Sequence, residues 1–355
     1  MYSRTITDPP ERIVYNGKPI FGAFSHPPKE LDISDVRNPY TTMRMPRFLS
    51  KLRIRSDISV VFTSDEFTGI ITLFDVKYFC FSEIVIWEKA TGKKYAYRYV
   101  FGFRRLISKN MERGRSFTFK KSRYVRVSWN RAKKRISVVF TMKGDNVRPS
   151  FSADFRMDMA DNRAAEWFAV TPASIKRRCS ATYFSAAPFK GYITNQMTGV
   201  VSSASSVSDS NIAFCSIRRI FSKLRTWETY LTGTGRYEGK QLVLRLSSSN
   251  HDAAENDRYN DNALFLNNEI TLLPPVTITC PFGVDGKWII QDTENMIDLY
   301  FTPISDHRRV SSIFILTADY HTIYGTFEGD LRTKDGEMIH LKDFLGIAQK
   351  QYLRM

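Results

Sequence analysis

Two aspartates are the residues of this chain whose surroundings best suit acid–base chemistry. Asp298 interrupts the apolar run 296–301, and strand alternation places it on the same face as Tyr300. Asp261 lies in a polar stretch rich in Asn and Asp, which predicts a loop, and loops carry function more often than strands do. A carboxyl group enclosed in a dry cavity has a raised pKa and can donate or accept a proton. If Asp298 faces water it is a surface charge instead, and we favour that arrangement.

The positive charge of the chain is concentrated in one segment, residues 94–135. The net charge is +16, and this segment contains fifteen Lys and Arg with a single acid, Glu112, so that it carries +14 and the rest about +2. Such asymmetry predicts association with anions, which include nucleic acids, acidic lipid headgroups at a membrane surface and acidic polysaccharides. The candidate anion-binding residues are Arg104, Arg105, Arg115, Lys120, Lys121, Arg123, Arg126, Lys133, Lys134 and Arg135.

Aromatic residues are interleaved with the basic residues of segment 94–135. Basic grooves with aromatic platforms bind single-stranded nucleic acid. Strand alternation explains the same spacing if the aromatic residues point into the core and the basic residues into water. We favour this second explanation, because no RNP-type, KH or zinc-finger signature is present.

The common motifs of nucleotide-binding proteins, hydrolases and metalloproteases are absent from the sequence. The five histidines are not at helical ligand spacing, and the four cysteines are widely spaced without a CxxC pair. We therefore expect no metal and no cofactor. No segment approaches the ~20 apolar residues of a transmembrane helix. The first ten residues contain two prolines and an acid where a signal peptide needs an apolar run, so we expect a cytoplasmic protein.

The elements that must position these residues are β-strands. Alternating runs at 123–129 and 136–140 flank a polar turn, which predicts a hairpin. Asn267-Asn268 and Asp335-Gly336 are turn pairs between further alternating runs. Two short segments, Ala160–Phe168 and Phe344–Tyr352, are the best candidates for helices.

The length of the chain indicates two lobes. One compact core rarely exceeds roughly 250–300 residues, and this chain has 355. We predict a mostly β protein with two antiparallel β-barrel or sandwich lobes and a few short helices. The N-terminal lobe would comprise residues 1–187, including the basic segment, and the C-terminal lobe residues 188–355.

The last third of the chain resembles a known family. The residues that carry the resemblance are Asn262-Ala263-Leu264-Phe265, Lys287-Trp288-Ile289-Ile290, the run 297–303, the run 324–329 and Asp335-Gly336-Glu337. They resemble the bacterial domain-of-unknown-function family 2804, which is distantly similar to the hydroxyneurosporene synthase, AttH and tocopherol cyclase group. The resemblance implies two lipocalin-like (calycin-like) lobes, and some members of that group handle isoprenoid ligands.

Several positions depart from the pattern of that family. The chain has Arg55-Ser56-Asp57 where the family has Lys-Glu-Trp, and Asp261-Asn262 where it has Glu-Asn. Gln349 and Met355 stand where the family usually ends on Gly-x-x-Glu and a terminal Trp. The resemblance therefore identifies no catalytic residue that can be assigned here, and whether the chain is an enzyme stays open.

Three functions are compatible with the sequence. The first is a binding module for a lipophilic or amphiphilic small molecule, held in a barrel or between the lobes. The second is an enzyme that hydrates or cyclises an isoprenoid-like C=C bond, with Asp298 or Asp261 as the acid. The third is a binder of an anionic polymer or membrane through segment 94–135. The residues expected to line a small-molecule site are Trp288, Tyr300, Trp227, Asn262 and Asp298.

Overall fold

The structure is a computed structural model that describes residues 2–40, 46–77, 79–102, 106–196, 199, 201–204, 210–253, 255–313 and 316–354. Almost all of its regular structure is β-strand. The elements, in chain order, are β1 (Ile6–Thr7), β2 (Val14–Tyr15), β3 (Lys18–Pro19), β4 (Gly22–Phe24), α1 (Arg47–Leu52), β5 (Ile54–Thr63), β6 (Phe67–Asp75), β7 (Phe79–Glu88), β8 (Lys94–Gly102), β9 (Arg113–Lys120), β10 (Arg123–Asn130), β11 (Arg135–Met142), β12 (Phe151–Asp158), β13 (Ala165–Ala173), β14 (Ile175–Asn195), β15 (Val201–Ala204), β16 (Ile212–Phe221), β17 (Arg225–Tyr237), β18 (Lys240–Ser249), β19 (Ala263–Leu266), β20 (Glu269–Leu272), β21 (Thr277–Thr279), β22 (Trp288–Gln291), β23 (Ile297–Ile313), β24 (Leu316–Arg332) and β25 (Met338–Arg354).

Two large, mainly antiparallel sheets contain nearly all of these strands. The main path of the first sheet is β8-β7-β6-β5-β16-β14-β12-β11-β10-β9, with β1, β4, β13 and β15 attached beside it. The second sheet has the order β20-β19-β18-β17-β25-β24-β23-β22-β21. The chain passes from the first sheet to the second between Phe221 and Arg225, and the predicted boundary at Pro188 falls inside β14.

Each sheet curls around an apolar core of its own, which confirms the prediction of two lipocalin-like lobes. The core of the first lobe includes Phe62, Phe140 and Phe155. The core of the second includes Trp288 and Phe301, whose rings meet edge to face with centroids 5.7 Å apart. Alternation along the strands fills these cores, because every second side chain points to the same face.

The outer faces of the two sheets pack against each other, and we call this contact the lobe interface. Three apolar clusters combine residues of both lobes. One joins Phe214 of β16 to Phe265 of β19, with ring centroids 5.7 Å apart. A second stacks Trp87 of β7 on Tyr324 of β24, with centroids 5.6 Å apart. In the third, Phe74 and Phe81 surround Tyr320, so that the interface is apolar at three separate places.

The sequence-predicted hairpins are confirmed, and the two predicted helices are wrong. β10 and β11 pair from Arg123↔Met142 to Asn130↔Arg135. Asn267 and Gly336 adopt positive φ angles of 52° and 87° in their turns, the conformation for which Asn and Gly are suited.

Neither of the two segments expected to be helical forms a helix. Residues 165–168 begin β13, and residues 344–352 lie in β25, which pairs with both β17 and β24. Pairing on both edges therefore overrides the local helical pattern. Within the described part of the chain α1 is the one helix, and no helix there has the length and apolarity needed to cross a membrane.

Candidate functional site

A buried cluster of charged side chains lies at the centre of the lobe interface. Alternation along β5 directs Arg55 and Asp57 toward the second lobe, while Ile54 and Ile58 fill the core of the first. Arg218 of β16 lies directly across from Asp57 in the strand register. The second lobe contributes a carboxylate, Glu228, which lies on β17 on the strand face opposite to the buried core residue Leu231.

Glu228 of β17 connects the two lobes through ion pairs. Arg55 Nη2 donates to both carboxylate oxygens of Glu228 at 2.7 and 2.6 Å, and each of the two side chains is 1% exposed. Arg218 Nη1 donates to Glu228 Oε1 at 3.3 Å, and Arg218 Nε and Nη2 donate to Asp57 at 3.1–3.2 Å. Burial alone would raise the pKa of Glu228, but Arg218 and Arg55 hold that pKa well below its usual value.

Arg245 and Asp261 complete the cluster on the side of the second lobe. The Arg245 guanidinium lies over the Tyr230 ring at 4.3 Å and donates to Thr232 Oγ1 at 3.0 Å. Burial lowers the pKa of Arg245 to about 10. Burial also raises the pKa of Asp261, whose Oδ1 is enclosed by protein and has no hydrogen-bond partner. The site therefore contains one carboxyl oxygen without a hydrogen-bond partner in the protein.

A second set of charges approaches the cluster from β7 and β23. Arg309 Nη1 forms an ion pair with Glu83, and His307 Nε2 is 3.6 Å from the same carboxylate. Burial favours a raised pKa for Glu83, but His307 and Arg309 together hold it below its usual value. The Arg309 guanidinium lies over the Tyr320 ring at 4.7 Å.

These groups enclose a small cavity of about 40 Å³. Arg218, Arg245 and Asp261 line it, together with Tyr320 and Phe74 from the adjoining apolar cluster. This volume holds about three water molecules. The cavity as it stands therefore accommodates a group of the size of a carboxylate, and a larger molecule requires side chains to move apart.

The aromatic faces around the cavity are already covered by cations. Arg218 and Arg245 lie over the Tyr230 ring at 4.9 and 4.3 Å. Arg98 and Arg309 lie over the Phe81 ring at 4.9 and 5.0 Å. A π face that stabilises a guanidinium is not available to a carbocation, and the neighbouring positive charges would repel one. The pocket suits negative charge on a ligand or in a transition state.

Of the two candidate acids, Asp261 is the one that lines the pocket. Asp298 is exposed on β23, where it accepts a hydrogen bond from Gln291 Nε2 at 3.1 Å. Asp261 lies two residues before β19, and Arg245, which lines the same cavity, projects from β18, the strand paired to β19.

The structure does not bring the other expected ligand residues together around this pocket. Trp288 is buried in the core of the second lobe, and Tyr300 is half-buried on β23. Trp227 is 50% exposed. Asn262 is buried and its side-chain amide donates to the Pro274 carbonyl at 2.7 Å, which anchors a loop. A ligand-binding role for these four stays a prediction.

Eight of the ten candidate anion-binding residues lie on one part of the first lobe. Arg104 and Arg105 lie outside the described residues. The other eight lie on β9, β10, β11 and their turns; they are Arg115, Lys120, Lys121, Arg123, Arg126, Lys133, Lys134 and Arg135.

Sequence reasoning missed the arginines and Glu228 of the interface cluster. A signal was present in β16, where Arg218 and Arg219 interrupt the apolar run 212–221. Charged residues inside a buried strand are rare unless they are paired, so such an interruption indicates an internal ionic site. The partners could not be found in the same way, because they lie on strands far apart in sequence.

Comparison with known proteins identifies the family. No curated protein sequence matches the chain. A crystal structure of CghA with Sch210972 is similar, with a TM-score of 0.48, 9% identity, and coverage of 84% of this chain and 88% of that chain. Kievitone hydratase from Nectria haematococca is similar with a TM-score of 0.45, 11% identity and the same coverage. The family model described as "Domain of unknown function (DUF2804)" matches residues 3–355, so the chain belongs to that family, as its C-terminal motifs predict.

Proposed function

We propose that the chain binds an amphiphilic small molecule in the pocket between its lobes, with an anionic group of the ligand held by the arginines. One observation carries this proposal. Arg245 is buried in the pocket, forms no ion pair with a described carboxylate, and has a buried Nε without a hydrogen-bond partner. A buried cation without a counter-ion is costly, and an anion in the cavity would relieve that cost.

The acidic side chains around Arg245 do not neutralise its charge, which leaves room for an anionic group of a ligand. Asp57 and Glu228 are engaged by Arg55 and Arg218. Asp261 is the remaining nearby acid, and the burial that raises its pKa weakens it as a counter-ion. A ligand carboxylate or phosphate would supply the missing charge through charge-assisted hydrogen bonds.

The apolar part of the ligand has a surface next to the cavity. Phe74, Phe81 and Tyr320 line the cavity and belong to an apolar cluster that continues to the partly buried Phe79 and Ala318. Each CH₂ group buried along this path contributes about 0.8 kcal/mol. A ligand with a short alkyl or aromatic body attached to an acid would therefore use both parts of the site.

The test compares amphiphiles that share one alkyl chain and carry a carboxylate, a hydroxyl or a trimethylammonium group. Isothermal titration calorimetry is expected to show the tightest binding for the carboxylate. Arg245→Met keeps the volume of the side chain and should weaken carboxylate binding about 10- to 150-fold, since a hydrogen bond to a charged group contributes about 1.5–3 kcal/mol.

The matched control is Arg225→Met, because Arg225 is an exposed arginine of the same lobe. It should leave binding unchanged. Equal affinity for the three head groups, or an unaltered Kd in Arg245→Met, would overturn the proposal.

A second candidate function is acid–base catalysis in the same pocket. Asp261 has a raised pKa and an unpartnered buried oxygen, which are the properties of a proton donor. The guanidinium-covered rings argue against a carbocation and favour a reaction that accumulates negative charge, such as enolate formation or addition of water to an unsaturated carbonyl.

Deuterium exchange tests this second function. An alkyl β-keto acid incubated with the protein in D₂O should acquire deuterium at its α carbon, as measured by mass spectrometry. Asp261→Asn should abolish the protein-dependent exchange while the affinity for an alkyl carboxylate is retained. Exchange that persists at the wild-type rate in Asp261→Asn would exclude this aspartate as the acid or base.

A further inference from the structure

The outer face of β9, β10 and β11 carries arginines and aromatic residues side by side. On β9, Ser116 and Thr118 point into the lobe, where Thr118 Oγ1 donates to Ser82 Oγ at 3.0 Å. Alternation therefore places Arg113, Arg115, Phe117 and Phe119 together on the outer face. The sequence-based expectation of aromatics inward and basic residues outward does not hold for β9.

The strand register extends this face across the neighbouring strands. Arg126 of β10 lies across from Phe117, and Ser128 lies across from both Arg115 and Ser137 of β11. These residues form the outer face of a continuous three-stranded sheet, so their side chains project from the same surface.

The arginines line a groove of about 520 Å³. Arg113, Arg115, Arg126 and Arg135 point into it, and Ser128 lies between them. None of these four arginines forms an ion pair with a carboxylate of the described chain. The Nε of Arg126 is moreover enclosed without a hydrogen-bond partner. Four unpaired guanidiniums in one concave surface repel each other, and bound phosphates would remove that repulsion.

Aromatic rings adjoin this groove on the same face. Phe119 is 66% exposed, and its ring meets that of Tyr124 edge to face with centroids 6.3 Å apart. The Arg115 guanidinium lies 5.7 Å from the centre of the Phe117 ring. Two acids share the outer face on β12, and one of them, Asp158, is 3.7 Å from Lys190. The surface near β9 is therefore basic and aromatic.

We propose that this outer face binds single-stranded nucleic acid, with backbone phosphates in the arginine groove and bases stacked on Phe119 and Tyr124. Arginine binds phosphate through two parallel hydrogen bonds, and every base has a π face that can stack on an aromatic ring. A flat bilayer surface cannot follow a concave groove, and for this reason we prefer nucleic acid to an anionic membrane. The site uses no residue of the lobe interface.

Fluorescence anisotropy with a labelled fifteen-nucleotide oligo-dT tests the proposal on the full chain. Four phosphate contacts predict a plot of log K against log salt with a slope of about −3, and the double variant Arg115→Gln/Arg126→Gln should reduce this slope to about half. Phe119→Ala should lower the affinity about 5- to 150-fold without changing the slope, since it removes stacking and no charge.

The matched control is Lys287→Gln, a half-exposed lysine of the second lobe, which should leave both the affinity and the slope unchanged. The competing occupant is tested with vesicles of phosphatidylserine and phosphatidylcholine. Binding to vesicles with no binding to oligo-dT would overturn the proposal. So would oligo-dT binding that is unaffected by Phe119→Ala or by the arginine double variant.

Discussion

Replacing Glu228 with Gln tests whether the ion pairs of the lobe interface hold the two lobes together. The substitution keeps the size of the side chain and removes its charge. Arg218 retains Asp57 as a partner. Arg55 loses the negative charge and one of the two oxygens that accept its short hydrogen bonds, and its remaining carboxylate contact is with Asp57 at 3.5 Å. Breaking a buried ion pair from one side costs about 3–5 kcal/mol. Because one of the two arginines stays neutralised, we expect a loss near the lower limit, about 3 kcal/mol.

Urea unfolding followed by circular dichroism and by tryptophan fluorescence measures this loss. Glu269→Gln is the matched control, because Glu269 is exposed in the same lobe and should change the free energy of unfolding by less than about 0.5 kcal/mol. Replacing both partners, as in Arg55→Met with Glu228→Leu, should recover most of the stability, since no charge is left unpaired. A Glu228→Gln protein as stable as the wild type would refute the assignment of Glu228 as the ionic link between the lobes.

Three further predictions concern stability. Burial lowers the pKa of His251 to about 3, so below pH ~6.5 the unfolded chain binds a proton that the folded chain does not, and stability falls as the pH drops. His251→Phe should therefore remove about 3 kcal/mol of the difference in unfolding free energy between pH 6.5 and 4. The same loss of stability between these two pH values in wild type and His251→Phe, measured by urea unfolding, would contradict this. Gly329→Ala should lower Tm by several degrees in calorimetry, because φ is +118° and a Cβ would lie 2.2 Å from the Asp298 carbonyl oxygen. An unchanged Tm would show that β24 relaxes freely at this position. Asp75→Asn should lower the free energy of unfolding by about 1.5–3 kcal/mol, since the Asp75 carboxylate accepts a hydrogen bond from the backbone N–H of Leu106 at 2.8 Å. Asp298 is exposed, so Asp298→Asn should change this free energy little in the same urea assay.

The fold was predictable from the sequence where local chemistry decides it. The turn at Asn267 and the turn at Gly336 need positive φ angles, and these residue types supply them at short range. Strand alternation likewise locates the hairpin of β10 and β11 without any tertiary information. The segment 344–352 fails for the opposite reason, because its conformation is decided by pairing with β17 and β24 on its two edges.

The site was predictable only in part, because it is built between lobes. Asp261 could be nominated from its polar surroundings, but Arg245, which lines the same cavity, lies on β18 and nothing local relates the two. Each strand has two faces, and the sequence does not show which face meets the other lobe. This uncertainty explains why Asp298 was a candidate, although it is exposed and it is Asp261 that lines the cavity.

The two proposed sites should act independently, and this gives a final test of both. The pocket is bounded by β5, β6, β7, β14 and β16 of the first lobe, whereas the arginine groove lies on β9, β10 and β11. Arg245→Met should therefore leave oligo-dT binding unchanged, and Arg115→Gln/Arg126→Gln should leave the affinity for an alkyl carboxylate unchanged. If the sites were coupled, saturation with one ligand would shift the affinity for the other by the same factor in both directions. Mutual exclusion of the two ligands would instead mean that both anions use one basic surface, and the separation of the two functions would then be wrong.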